Sequence, residues 1–265
     1  MLSISRLPVY LGLDLFICLS GCSSDGAPST TGVDSNVASH VSDLVAMPVA
    51  DYEVLFIGNS HSSTNGLPNL VIKLIESAQQ GKTANAGLAS GYRFLDERIG
   101  DGITLDTLKA RQWTHVFLQA QKYSTTGRYF YPTDAAQDWI KRVKALNATP
   151  VMFPEWPRYR NKEEGQRIYE LHQLIASQEA ACVAPVVPVW DAFIARYPNI
   201  KLHAADGNHS NLNGALLTAY VFFQIITEKP ANVLGYIPEL GVSEETQAQL
   251  KAVTLDFHNI HLPCP

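Results

Sequence analysis

Val54-Leu55-Phe56-Ile57-Gly58-Asn59-Ser60-His61-Ser62 reads as the end of a buried strand and the turn that follows it. Four apolar residues, β-branched or aromatic in part, run into a Gly-Asn-Ser turn. Behind the turn comes a helix-like run, Leu67-Pro68-Asn69-Leu70-Val71-Ile72-Lys73-Leu74-Ile75. The order is strand, tight turn, helix. Ser60 then stands at the carboxyl end of a strand and near a helix N-terminus. Open α/β sheets bind ligands there, and backbone N–H groups there can hold an anion. Ser60 is therefore a candidate nucleophile, and the rest of the chain must supply a base, an orienting acid and an oxyanion site.

The pattern repeats along the chain. Glu53–Ile57 is the first expected strand and 67–79 the first helix. Lys82–Ala86 is a short second strand, running into the small-residue loop 86–91. Residues 94–109 carry helical or mixed periodicity. Thr114–Leu118 is the third strand, and 132–146 a helix with acid early and base late, as the helix dipole prefers. Thr149–Phe153 is the fourth strand and 162–181 an amphipathic helix. Ala184–Val189, with two prolines, is a fifth strand, bent or at an edge. Apolar 211–227 and 243–255, the latter capped by Ser243, complete the list. Five strand–helix alternations predict one α/β domain with a mostly parallel sheet covered on both faces.

The chain has 265 residues, of which 46% are hydrophobic and 17% charged, enough for one large core. A formal net charge of −5 without a basic patch argues against nucleic acid as a partner. Residues 1–21 have a basic start at Arg6 and a short apolar stretch ending in Leu19-Ser20-Gly21-Cys22. That box resembles a bacterial lipoprotein signal. The resemblance implies cleavage before Cys22, lipidation of that cysteine and attachment to a membrane of the cell envelope through lipid alone. Residues 22–48, rich in Ser, Ala, Gly, Asp and Val, are expected to be a flexible tether, and 49–265 the folded domain. Cys182 and Cys264 make an even pair in an exported chain, which suggests a disulfide tying the tail to the body.

Asp206-Gly207-Asn208-His209 lies in a loop before the most apolar helix. An Asp and a His three residues apart can fold back on each other. The carboxylate then takes the imidazole Nδ1–H and leaves Nε2 to accept a hydroxyl proton. Gly58-Asn59-Ser60 resembles the Gly-Asp-Ser block of the SGNH (GDSL-type) hydrolases, and Asp206-x-x-His209 resembles their last block in spacing, order and position.

That resemblance, over most of residues 52–228, implies a three-layer α/β/α, flavodoxin-like domain with five parallel strands. It implies Ser60 as nucleophile, His209 as general base and Asp206 as its partner. It also implies an oxyanion hole built from the Ser60 N–H, a Gly N–H after the second strand and an Asn amide after the third. For the glycine, Asn85-x-x-x-x-Ser90-Gly91 is similar to the second block, with Gly91 first and Gly87 as the fallback. The family's Gly-x-Asn-Asp is replaced by Gln119-Ala120-Gln121. Either Gln amide carries the same donors on a longer stem, Gln121 lying further into the loop. The Leu-Gln-x-Gln form resembles a divergent branch of the superfamily.

His61 is expected to line the pocket or to be a turn residue bonded to backbone. Trp156 and Arg158 are expected either to contact a sugar ring or an anionic group, or to belong to a rigid Pro-bracketed loop. Tyr123, Tyr129 and Tyr131 are candidates for a sugar-stacking wall. No H-E-x-x-H, Cys-x-x-Cys, G-x-G-x-x-G or Walker pattern occurs, so no metal and no cofactor are expected. The expected partner is a small-molecule or glycan ester, cleaved by hydrolysis or passed to a sugar hydroxyl. A non-catalytic ligand-binding role on the same fold is the alternative.

Overall fold

The computed structural model describes residues 35–258 and residue 264. The expected signal segment and Cys22 lie outside the described residues. Five parallel strands form one sheet: β1 (Tyr52–Ile57), β2 (Ala84–Leu88), β3 (His115–Leu118), β4 (Thr149–Met152) and β5 (Cys182–Val183). Their order is β2-β1-β3-β4-β5. In this order the connections diverge between β1 and β3, which opens a crevice at the carboxyl ends of those two strands.

Period-two burial in β1 explains the two layers. Val54 and Phe56 enter the core on one face, packed with α2 (Leu67–Ala78), α7 (Val186–Arg196), α8 (Leu212–Thr227) and α9 (Glu244–Leu255). Leu55 and Ile57 enter the core on the other face, with α5 (Asp134–Ala145) and Ile175 of α6 (Lys162–Gln178). Because both faces are covered, β1 is apolar at nearly every position rather than alternating. Helix α8 is buried along almost its whole length between α2 and α9. No helix among the described residues is long and apolar enough to cross a membrane.

Two expectations change. The fifth strand is only Cys182–Val183, and residues 186–189, expected as part of that strand, open helix α7 over 186–196. Val186, Val189, Trp190 and Phe193 bury at helical spacing, and Pro188 sits in the first turn, where no intrahelical N–H is required. The prolines that suggested a bent strand are thus a helix start.

The expected tether 22–48 also contains a helix, α1 (Ser35–Ala46). Leu44 of that helix is buried in the second core cluster, which includes Trp113. The Arg111 guanidinium donates to the carbonyls of Leu44, Met47 and Pro48 while paired with buried Glu53. A long-range clamp of this kind leaves no local signal.

Residues 94–109 resolve into α3 (Leu95–Arg98) and α4 (Ile103–Lys109). Cys182 and Cys264 are disulfide-bonded across 82 residues of sequence.

Candidate active site

Gly58, Asn59 and Ser60 leave β1, and Ser60 starts a 3-10 turn over Ser60–Ser62. The Ser60 carbonyl is held by the Ser63 N–H at 3.1 Å and by the Thr64 hydroxyl at 2.6 Å. Its own N–H, at the open start of the turn, donates to no protein group among the described residues. The turn is braced from β3. Gln119 Oε1 accepts the Asn59 N–H at 2.8 Å and the Ser62 hydroxyl at 3.1 Å. Ala120 next to it adopts φ +72°, a conformation that costs a non-glycine residue about 1 kcal/mol or more and turns the chain sharply away from the strand.

The second half of the site is the loop between His203 and Ser210, which pair as an antiparallel bridge. The Ala204 N–H to His209 carbonyl bond, 2.8 Å, closes the loop, and Gly207 turns it with φ +67°. Asp206 Oδ1 accepts the N–H groups of Asn208 and His209, each at 2.9 Å. Asp206 Oδ2 lies 2.6 Å from His209 Nδ1. On the far side of the ring, His209 Nε2 is 2.8 Å from Ser60 Oγ. The Asn65 amide donates to the Ser210 carbonyl at 2.8 Å and ties the two loops together.

Ser60, His209 and Asp206 are therefore one hydrogen-bonded chain. The hydrogen bond to His209 and the two backbone N–H bonds hold the Asp206 carboxyl far below the usual carboxylate range. Ionised, it fixes the tautomer with the proton on Nδ1, leaving Nε2 free to accept a proton from the Ser60 hydroxyl.

His61 is 8% exposed. Its ring packs 5.1 Å from His209 at 26°, and 5.2 Å from Trp156. Asn59 Oδ1 accepts the His61 N–H at 3.0 Å. The ring backs His209 and offers little surface to a ligand. Trp156, a candidate substrate contact from the sequence, is 2% exposed. It stacks on Trp190 at 4.6 Å, and its indole N–H donates to the Asn208 carbonyl at 2.9 Å. Trp156 thus supports the 203–210 loop from behind. Arg158 is bound to buried Glu164, at 2.9 Å from Nη2. Glu164 also accepts the Tyr123 hydroxyl at 3.3 Å, which takes Tyr123 out of the expected aromatic wall, whereas Tyr129 and Tyr131 remain exposed.

The two glutamines depart from the expected role. The Gln121 amide donates to the carbonyls of Lys122 and Pro132, at 2.9 and 3.1 Å. The Gln119 amide donates to buried Glu155 at 3.1 Å while its oxygen faces the nucleophile turn. Both amides are engaged away from Ser60, because the longer stem of Gln119 brings its oxygen, not its N–H, to the turn. The fallback Gly87 is inside β2, opposite Leu55. A side chain there would run into the Trp113 ring, so that glycine makes room for packing. Gly91 follows β2 with φ +76°, and its N–H donates to no protein group among the described residues.

The sequence reading missed Arg98 and Glu155. Arg98 is fully buried. Its Nη2 donates to the Gly58 carbonyl at 2.6 Å and to the Gly91 carbonyl, and its Nη1 to the Ser90 carbonyl at 3.1 Å. One guanidinium thus stitches the 58–60 turn to the 90–91 loop. Burial lowers its pKa, but a guanidinium keeps its proton throughout the physiological range. Glu155 lies wholly inside, and burial pushes its carboxyl up while His172 pulls it down. Nothing local marks either residue.

Gly58 packs so closely on Ser62 Oγ and Gln119 Oε1 that a methyl group there would overlap both. Gly58→Ala is expected to cost about 1–3 kcal/mol of stability by displacing the Gln119 brace, read by urea unfolding. An unchanged unfolding midpoint would contradict this packing.

Burial, then the charge of His209, lowers His61 to about 4, and burial lowers His115 to about 4. Both are neutral when folded and take protons more readily when unfolded. Their folded pKa lies below the unfolded value of about 6.5, so stability falls as pH drops from about 6.5 to about 4, by about 3 kcal/mol for each residue. Tm measured across that window is expected to decline, and less steeply in His115→Gln. Parallel curves for the two proteins would refute the assignment to His115.

The fold is that of solved SGNH hydrolases. Among solved structures, a DUF4886 family protein from Bacteroides uniformis matches with TM-score 0.63 and 16% identity, over 78% of this chain and 94% of that one. A protein assigned as an SGNH hydrolase from Slackia heliotrinireducens matches with TM-score 0.53 and 22% identity, over 65% and 97%. An acetylxylan esterase from Geobacillus stearothermophilus matches with TM-score 0.53 and 13% identity, over 67% and 95%. No family model matches the chain, and no curated protein matches it.

Proposed function

We propose that this chain is an exported serine hydrolase of the SGNH type, cleaving an ester by a Ser60–His209–Asp206 mechanism. The observation that carries the reading is the hydrogen-bonded chain from Ser60 Oγ through His209 to Asp206, 2.8 and 2.6 Å long at its two links. As Ser60 Oγ attacks the ester carbonyl carbon, its proton passes to His209 Nε2. Asp206 stabilises the imidazolium. The N–H groups of Ser60 and Gly91 hold the oxyanion, and His209 then gives its proton to the leaving alcohol. Water, deprotonated by His209, attacks the acyl-enzyme and releases the acid and Ser60. With neither glutamine amide aimed at the oxyanion, two backbone donors remain. A missing third donor costs about 3 kcal/mol of transition-state stabilisation.

The substrate we favour is an O-acyl group on a carbohydrate. The acetylxylan esterase among the structural matches supports this choice. The lipoprotein-like box ending in Cys22 supports export and a lipid anchor in the cell envelope. A fluorophosphonate incubated with the full chain is expected to add one phosphonyl group, located on the Ser60 peptide by mass spectrometry. Labelling on another serine, or none while the protein is folded, would defeat the proposal.

A further inference from the structure

A cleft of about 910 Å³ opens on the far side of the catalytic loop. One wall is the segment after β4, through Tyr159, Arg160 and Lys162, and the other carries Lys201 and His203. Ala204 and Gly207 of the Asp206–His209 loop form part of the lining, and the Tyr159 N–H donates to the Gly207 carbonyl at 2.7 Å. The cleft and the reacting centre therefore share one loop: His209 faces Ser60, and the backbone behind Asp206 faces the cleft. The volume lies within the range usual for ligand sites.

Its charge is opposite to that of the whole molecule. The chain carries −5, yet Arg158, Arg160, Lys162 and Lys201 all line this cleft, with Asp191 as the lining carboxylate. Arg158 is neutralised by Glu164. Burial raises the pKa of Asp191, and Lys162 opposes that shift. Arg160 and Lys201 have no carboxylate partner among the described residues. The Arg160 guanidinium lies 5.0 Å from the Tyr159 ring centre, and Tyr159 is 56% exposed. Arg160 also adopts φ +64°, backbone strain of the kind that persists at ligand sites. A half-exposed aromatic ring, stacked with Arg160 and packed on His203 at 5.6 Å, beside cations without a carboxylate partner suits a sugar that carries an acid.

We infer that this cleft is a subsite for a carboxylate-bearing oligosaccharide, the Arg160 fork and Lys201 taking the carboxylate and Tyr159 the sugar face. The inference rests on the ester-hydrolase reading only in placing the acyl group of the same substrate at Ser60. The enzyme would then act on acylated acidic glycans in preference to neutral ones.

The test uses the full chain carrying Ser60→Ala, so that binding is read without turnover. Calorimetry compares an oligogalacturonide, a neutral xylo-oligosaccharide and a sulfated oligosaccharide of equal length. Binding of the oligogalacturonide is expected to be at least tenfold tighter than that of the neutral sugar and to weaken in 0.5 M salt. Adding Arg160→Gln and Lys201→Gln is expected to abolish the preference. The double variant should keep the thermal unfolding midpoint of the unsubstituted protein, which shows that the lost preference is not lost folding. Equal affinity for acidic and neutral sugars, or a preference that survives the double substitution, overturns the subsite, and tighter binding of the sulfated sugar overturns the carboxylate assignment. If the unsubstituted chain lacks ester turnover but binds the oligogalacturonide as expected, the hydrolase reading fails and the subsite stands.

Discussion

Ester turnover by the Ser60→Ala chain is expected to fall by about 10,000- to 1,000,000-fold in kcat, with the thermal midpoint nearly unchanged. The size follows from removing the nucleophile of a unit whose members act together. Ser60 makes its bond to His209 at a half-exposed turn, and the turn itself is held by backbone and by Gln119 rather than by the Ser60 hydroxyl. The hydroxyl can therefore be lost without unfolding the loop. Because nucleophile and base act in one step, Ser60→Ala combined with His209→Ala should be no slower than Ser60→Ala alone. Initial rates with p-nitrophenyl acetate under first-order conditions decide the matter. A single variant within tenfold of the unsubstituted chain would remove Ser60 from the mechanism, and the ligand-binding role would take precedence.

Asp206→Asn is expected to lower kcat by about 100- to 10,000-fold. An amide can still accept the backbone N–H groups of Asn208 and His209, so the loop should keep its shape. What it loses is the charge that holds the Nδ1 proton and stabilises the imidazolium. The Asp206 side chain is 50% exposed, and water can replace part of the lost interaction, so the effect should fall short of that for a fully buried partner. Asp206 is ionised far below neutral pH, so its charge is constant across the working range. The acid limb of the unsubstituted rate profile therefore belongs to other groups. Rate against pH for both proteins separates the two contributions. A variant that matched the original at every pH would show that Asp206 only caps the loop.

Much of this site was legible because its parts are local in sequence. Gly58-Asn59-Ser60 follows an apolar strand, and Asp206 and His209 share one loop, so residue type and spacing sufficed to name them. The failures are of another kind. Gln119 and Gln121 were named as donors from residue chemistry alone. Which amide atom faces the turn depends on Ser62, Glu155 and Pro132, between 11 and 57 residues away. Trp156 looked equally suited to a ligand or to packing, and Trp190 and Asn208 settle it as packing. Arg98 sits in an ordinary amphipathic run, and only the folding of β1 and the 90–91 loop onto it reveals its bonds.

The sequence by itself determined the alternation of strands and helices, the parallel sheet and the position of Ser60 at a strand end. Those follow from hydrophobic period and turn residues, which act over a few positions. Only the tertiary structure decided the meeting of Ser60 and His209, 149 residues apart, the helical rather than extended course of 186–189, and the clamp of Arg111 on the chain before β1. It also decided the gathering of Arg160 and Lys201 at one cleft. Burial and pairing between distant segments set these features, and residues that are neighbours only after folding carry no mark of it in the chain.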